Sequence, residues 1–207
     1  MLIGITGCMG SGKSTFARFL EKRGAALVDA DQLGHQVLEI PAMVAELVAA
    51  FGPQIAGQGG RIARRELGRL AFANPEGLAT LNRIVRPYLE ALLWKEADRL
   101  AGPKGEVKVV VDAALIFEWG VEDRFDLVVV VDAPEPLRCQ RAAARQGLSE
   151  GEVRRRLARQ LPAAAKAARA DLVVPNEGNL AALEAKAEDL WRQLAAGERG
   201  VRAGDGH

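Results

Sequence analysis

The chain has 207 residues, of which 49% are hydrophobic, and its formal net charge is +1. This length fits a single domain over residues 1–207, and the balanced charge gives no overall basic field that would hold nucleic acid. The two cysteines, Cys8 and Cys139, form neither a disulfide framework nor a metal-ligand motif.

No window of the sequence has the length and apolarity of a membrane span, and the apolar stretch at the N-terminus is too short for a signal peptide. We therefore expect a cytoplasmic protein with neither a nucleic-acid nor a membrane partner. The sequence leaves the oligomeric state open.

Short apolar runs alternate with longer helical stretches along the chain. Strands are predicted at residues 2–6, 26–28, 107–111, 127–131 and 171–174. Helices are predicted at residues 14–23, 32–39, 42–51, 64–73, 75–100 and 180–194. Because runs that are apolar on both faces are typical of a parallel sheet covered by helices, the alternation predicts a doubly wound α/β fold.

Two stretches interrupt this alternation. Residues 32–102 carry no clear strand and are too long for a plain crossover, which indicates an inserted helical subdomain. Residues 136–166 are rich in arginine and helical in pattern. They are candidates for a lid.

The stretch Gly7–Ser14 matches the phosphate-binding pattern G-x-x-x-x-G-K-[ST] between a predicted strand and a predicted helix. Glycines permit a tight loop whose amides approach an anion, and the helix N-terminus adds its positive dipole end. Lys13 supplies a mobile charge for the outer phosphates, and the Ser14 hydroxyl is a candidate Mg²⁺ ligand. The residues expected to bind a nucleoside triphosphate here are Cys8, Met9, Gly10, Ser11, Gly12, Lys13, Ser14 and Thr15.

The residues after the last predicted strand narrow the class of nucleotide-binding protein. A GTPase would show an N-K-x-D-type motif there, whereas this chain has Pro-Asn-Glu-Gly at 175–178. A small-molecule kinase is favoured. A kinase acting on another small acceptor, such as a nucleoside monophosphate or shikimate, and a non-catalytic nucleotide-binding regulator stay open at this point.

Acidic residues follow three of the predicted strands, at Asp29, Asp112 and Asp132, and a turn-forming role is favoured for Asp132. Carboxyl ends of parallel strands line the ligand crevice of open α/β sheets. If residues 29–31 are extended, Asp29 and Asp31 point to one side, and either could accept a proton from an attacking hydroxyl. The alternative for each is a helix cap. Asp112 is a candidate for holding a water on Mg²⁺, with a turn-forming role as the alternative.

Arg138, Arg141 and Arg145 recur at helical spacing. No acidic residue lies between positions 136 and 148 to neutralise them. A lid that folds onto a triphosphate would use such a face, because guanidinium binds phosphate oxygens bidentately. A solvated charged face is the equally weighted alternative.

An ordered series of motifs runs through most of the chain, at residues 5–14, 29–31, 64–75, 81–87, 112–118, 141–149, 160–166 and 170–176. This ordered set resembles the dephospho-coenzyme A kinase family. The P-loop alone is generic, whereas the series in this order is specific. The resemblance implies a P-loop kinase-type parallel sheet flanked by helices, an inserted helical CoA-binding subdomain at 32–102 and an arginine-rich lid at 136–166.

The resemblance also implies a reaction, in which ATP with Mg²⁺ phosphorylates the ribose 3′-hydroxyl of dephospho-CoA. Lys13, Asp31 and Arg141 would be the catalytic residues, with Asp31 acting at the attacking hydroxyl as base or orienter and Arg141 acting on the phosphates. The further positions it implies are Arg145 on the phosphates, Asn176 and Gly178 near adenine, Ser14 and Asp112 at the metal, and Thr6, Asp31, Arg64, Asp112 and Glu118 at the substrate.

Three positions depart from the family's usual pattern. Arg86 stands where a histidine is usual and Ala114 where a proline is usual, both on the expected substrate side. Cys8 replaces a common glycine in the P-loop, and we expect it to be a packing residue and not a reactive thiol.

Overall fold

The computed structural model describes residues 1–147 and 149–197. Leu148, a member of the predicted lid motif, and residues 198–207 lie outside the described residues. By their internal packing, the described residues form two units, one of Met1–Val28 with the chain from Arg99 onward and one of Asp29–Asp98. The first unit carries the sheet, and the second is built from helices and short turns.

The first unit contains a five-stranded sheet in the order β2-β3-β1-β4-β5. The strands are β1 (Leu2–Thr6), β2 (Ala26–Asp29), β3 (Val109–Asp112), β4 (Leu127–Asp132) and β5 (Leu172–Pro175). β1 pairs in parallel with both β3 and β4, and β4 pairs in parallel with β5. The α/β fold expected from the apolar runs is therefore confirmed.

The described residues form ten α-helices. They are α1 (Lys13–Glu21), α2 (Ala30–Val37), α3 (Pro41–Phe51), α4 (Arg64–Ala71), α5 (Pro75–Ala101), α6 (Ile116–Trp119), α7 (Glu135–Gln146), α8 (Glu150–Leu157), α9 (Ala163–Ala167) and α10 (Leu180–Ala195). The predicted elements are present with bounds shifted by at most two residues, as expected where helix ends fray.

The core of the first unit lies where α1 and α10 pack on the sheet. Ile3 and Ile5 of β1 and Val129 of β4 are fully buried, and Phe16 of α1 packs against them. Burying a side chain of this size stabilises the fold by about 1.5–3 kcal/mol. The rigid platform formed in this way ends at Thr6, directly before the glycine-rich loop.

The second unit, Asp29–Asp98, lies in the stretch where an inserted helical subdomain was expected at residues 32–102, and that subdomain assignment stays a prediction. It contains α2, α3, α4 and nearly all of α5. In the part of the chain that the structure describes, no single helix is long and apolar enough to cross a membrane, although the bent pair α2 and α3 meets the length and composition test together. The CoA-binding role of this unit and the lid role of residues 136–166 stay predictions.

Candidate active site

The glycine-rich loop turns directly into α1. Gly10 and Gly12 adopt positive φ values of 81° and 99°, a region that disfavours other residues. A Cβ on Gly10 would also collide with the carbonyl oxygen of Arg138, so α7 packs tightly against the loop. No side chain caps α1 at Gly12, which leaves the first-turn amides of this nine-residue helix available to an anion.

Lys13 and Asp112 form an ion pair beside the loop. The Lys13 Nζ atom donates to Asp112 Oδ1 at 2.7 Å and lies 3.4 Å from Ser14 Oγ. Asp112 is buried at the end of β3, where the strand register places it opposite Ile5 of β1. The lysine, the hydroxyl and the carboxylate predicted for phosphate and metal binding thus lie together.

A cavity of about 270 Å³ opens beside the N-terminal end of α1. Its lining residues are Gly12, Thr15, Arg141, Asn176, Gly178, Asn179, Leu180 and Leu183. The Arg141 guanidinium donates to the carbonyl oxygens of Asn176 at 3.0 Å and Gly178 at 3.2 Å. Five residues predicted to contact ATP therefore line this cavity, namely Gly12, Thr15, Arg141, Asn176 and Gly178. Arg141 is turned toward the loop after β5, and its contact with phosphates stays a prediction.

Asn176 ties the end of β5 to the P-loop. Its Nδ2 donates to the carbonyl oxygen of Ser11 at 2.7 Å, and its backbone N–H donates to the carbonyl oxygen of Asp132. The side chain is buried. It therefore fixes the shape of the P-loop, a function that the sequence did not indicate.

The loop after β3 is stabilised by a buried network. Lys166 is fully buried, and its Nζ donates to the Glu118 carboxylate at 2.8–3.0 Å and to the carbonyl oxygen of Ala114 at 2.7 Å. Thr6 is also fully buried, and its hydroxyl donates to the same carbonyl at 3.2 Å. Thr6 thus supports the loop after β3, and the substrate roles predicted for Thr6 and Glu118 stay predictions.

Cys8 is a buried packing residue, as its place in the loop led us to expect. Its Sγ lies 3.7 Å from the carbonyl oxygen of Leu161. Burial raises the pKa of the Cys8 thiol above its ordinary value, and the nearby charges of Arg138 and Lys166 offset only part of that effect. The thiol is therefore neutral and poorly nucleophilic near pH 7.

The three arginines of α7 do not share one environment, although they recur at helical spacing. Arg138 is buried and its Nε has no hydrogen-bond partner among the described residues, whereas Arg145 is exposed in the last turn of the helix. Arg141 lies between these extremes. The solvated-face alternative therefore does not describe Arg138, and the phosphate contact predicted for Arg145 stays a prediction.

Asp29 ends the second strand, whereas Asp31 lies in the helix that follows it. The expectation of an extended segment is wrong, because α2 begins at Ala30. Asp29 is the N-cap, and its Oδ1 accepts from the amides of Asp31 and Gln32 at 2.9 and 3.1 Å. Asp31 is exposed in the first turn of α2, and Arg64 is exposed at the start of α4. The capping alternative is thus correct for Asp29, while the roles of Asp31 and Arg64 stay predictions.

The parallel sheet, the P-loop at the end of its central strand and the adjoining lysine–aspartate pair define a P-loop kinase. Comparison with known proteins agrees, since the family model described as Dephospho-CoA kinase matches residues 1–182. The chain belongs to the dephospho-CoA kinase family, which catalyses the final, ATP-dependent step of coenzyme A biosynthesis.

Individual relatives support this assignment. The Dephospho-CoA kinase of Deinococcus radiodurans is 41% identical over 192 residues, covering 93% of this chain and 91% of that protein. The solved structure of TT1252 from Thermus thermophilus is 39% identical with a TM-score of 0.78, covering 94% of this chain and 97% of its own. Shikimate kinase from Bacteroides thetaiotaomicron, 16% identical with a TM-score of 0.54 and coverage of 94% and 98%, shares the fold.

Proposed function

We propose that this chain transfers the terminal phosphoryl group of ATP to the ribose 3′-hydroxyl of dephospho-CoA, with Mg²⁺ as its metal cofactor. The observation that carries the proposal is the Lys13–Asp112 pair at the P-loop, in a chain of this family. The α1 amides and Lys13 bind the phosphates and neutralise charge that shifts during transfer. Positioning and electrostatics supply most of the rate, because phosphoryl transfer asks for little covalent chemistry.

The oxygen atoms beside Lys13 suit Mg²⁺. Ser14 Oγ and Asp112 Oδ1 both lie within 3.4 Å of Lys13 Nζ. Mg²⁺ typically binds one or two carboxylates together with water and substrate phosphates, so it needs no dedicated protein cage. Asp112 and Ser14 would hold the ion, directly or through water, and the ion would neutralise negative charge on the phosphate oxygens.

The roles proposed for the remaining site residues rest on the resemblance to the same family. Asp31 aligns the acceptor hydroxyl or accepts its proton, and Arg64 contacts the CoA moiety. Arg141 and Arg145 act on ATP, an assignment that the position of Arg141 at the cavity supports. A cytoplasmic location and the absence of nucleic-acid and membrane partners remain expectations, and the oligomeric state is open.

An acceptor panel tests the proposal. ADP release would be measured with dephospho-CoA, AMP, CMP and shikimate at equal concentrations, and the product would be identified by mass spectrometry and NMR. We expect ADP release with dephospho-CoA alone and a product phosphorylated at the 3′ position. Faster turnover with another acceptor would contradict the substrate, and ATP binding without any acceptor-dependent turnover would indicate a regulator.

A further inference from the structure

The segment between α8 and α9 is held from two sides. We call residues 160–162 the lid base, since they directly follow Arg159, the last arginine of the predicted lid. On one side, the Met9 amide of the P-loop donates to Gln160 Oε1 at 2.9 Å, and Cys8 Sγ contacts the carbonyl oxygen of Leu161 at 3.7 Å. On the other side, the Leu161 amide donates to Glu118 Oε1 at 3.0 Å.

Lys166, in α9 directly after the lid base, completes this arrangement. Its buried ammonium group holds both oxygens of Glu118 and the carbonyl oxygen of Ala114. A buried charge is tolerated when its hydrogen-bonding capacity is satisfied in this way. The lid base therefore links the P-loop to the loop that follows Asp112 through a continuous series of polar contacts.

We propose that Gln160 and Lys166 are positioning residues for phosphoryl transfer, acting through the lid base to fix the P-loop relative to the loop after β3. A loop that contains three glycines samples many conformations unless other contacts restrict it. Errors of about 1 Å in the placement of reacting groups can cost about 10²-fold in rate. The inference rests on the proposed function, because it assigns these side chains to the ATP side of that reaction.

A purely structural role is the alternative, and Gln160 separates the two. Gln160 is partly exposed, so that water can replace its contact with Met9 at little cost in stability. Gln160→Met keeps the side-chain length and removes the acceptor. Gln193→Met, at an exposed site on α10, is the matched control with the same chemical change.

We expect Gln160→Met to shift the Tm by no more than about 4 °C and to lower kcat/KM for ATP by about tenfold or more, with the KM for dephospho-CoA unchanged. The rise in Tm on adding Mg²⁺–ADP should also be smaller than in the wild type. Gln193→Met should match the wild type in every measurement. Wild-type kinetics and a wild-type ADP response in Gln160→Met would overturn the role of Gln160.

The ion pair requires a different design, because Lys166→Met leaves the largely enclosed Glu118 carboxylate without its cation and is expected to be destabilising. Replacing both partners, as Lys166→Met with Glu118→Leu, removes the buried charges together and should recover most of the Tm. We expect kcat to remain at least about tenfold below the wild type in this double variant, with the KM for dephospho-CoA unchanged, because the lid base is no longer connected to the loop after β3. A raised KM for dephospho-CoA with unchanged kcat would indicate the substrate contact predicted for Glu118 and would overturn the role of Lys166.

Recovery of kcat together with Tm in the double variant would show that the pair serves stability alone and would overturn the role of Lys166. Both tests use dephospho-CoA turnover by the wild type as their reference. A wild type that fails to turn over dephospho-CoA refutes the proposed function, whereas an active wild type with equally active variants refutes only this inference.

Discussion

Replacing Asn176 by aspartate isolates one hydrogen bond that shapes the P-loop. The substitution keeps the size of the side chain and replaces the Nδ2 donor, which lies 2.7 Å from the Ser11 carbonyl oxygen, with an acceptor. Two acceptors then face each other in a buried place. The change therefore removes a hydrogen bond and leaves the Ser11 carbonyl without that donor.

The expected loss in the free energy of unfolding is about 1–3 kcal/mol, the usual cost of a buried polar group left unsatisfied. For a chain of 207 residues, each kcal/mol shifts Tm by about 2–4 °C, so the decrease should be about 2–12 °C. Burial and the facing carbonyl raise the pKa of the new carboxyl. Since a protonated carboxyl can donate to Ser11, the difference from the wild type should shrink as the pH falls.

Thermal unfolding at about pH 7.5 and about pH 5.5 measures the decrease in Tm and its dependence on pH. The KM for ATP reports on the shape of the P-loop. Gln193→Glu, which adds a negative charge at an exposed site of α10, is the control for charge alone. A Tm within about 1 °C of the wild type at both pH values, with an unchanged KM for ATP, would refute the assignment of Asn176 as a support of the P-loop.

Four further outcomes test the site. Lys13→Met should lower kcat by about 10³-fold or more. It should also lower the Tm, because it leaves the buried Asp112 carboxylate without its cation. Near-wild-type kcat would remove Lys13 from catalysis. Arg141→Ala should lower kcat to a similar degree. A higher KM for ATP with unchanged kcat would limit the role of Arg141 to ATP binding. Asp31→Asn should keep the rise in Tm that Mg²⁺–ADP induces but lose phosphoryl transfer. Normal kinase activity in this variant would remove Asp31 from the mechanism. Cys8 should react slowly with iodoacetamide at about pH 7.5, because burial raises the pKa of its thiol. Peptide mass spectrometry measures the rate of labelling, and rapid labelling of the folded protein would contradict this expectation.

The elements and the P-loop could be predicted because their signals are local. The apolar runs that form β1 and β4 are continuous in sequence, and the glycine-rich pattern immediately follows β1. The helical stretch of the second unit was likewise visible as a long region without a strand. Local patterns decide such features because backbone conformation and hydrophobic periodicity depend on neighbouring residues.

Contacts between distant segments were not visible in the sequence. Gln160 reaches Met9 across 151 positions, and Lys166 reaches Glu118 across 48. Both residues stand in segments that resemble the family, yet nothing local to them indicates a partner. At Asp29 the reason is different: two explanations, an extended strand end and a helix cap, fit the same three residues, and the cap prevails because α2 begins at Ala30.

Strand order explains why the predicted residues of the first unit meet. The sequence places Asp112 at the end of β3 and the P-loop at the end of β1, but it does not say which strands are neighbours. In the observed order, β1 lies between β3 and β4, so the P-loop emerges with Asp112 on one side and α7 on the other. The carboxyl ends of three adjacent parallel strands thereby supply the lysine, its carboxylate partner and the helix that carries Arg141. A reordered sheet with identical elements would separate these groups, which is why the site depends on packing that no single motif encodes.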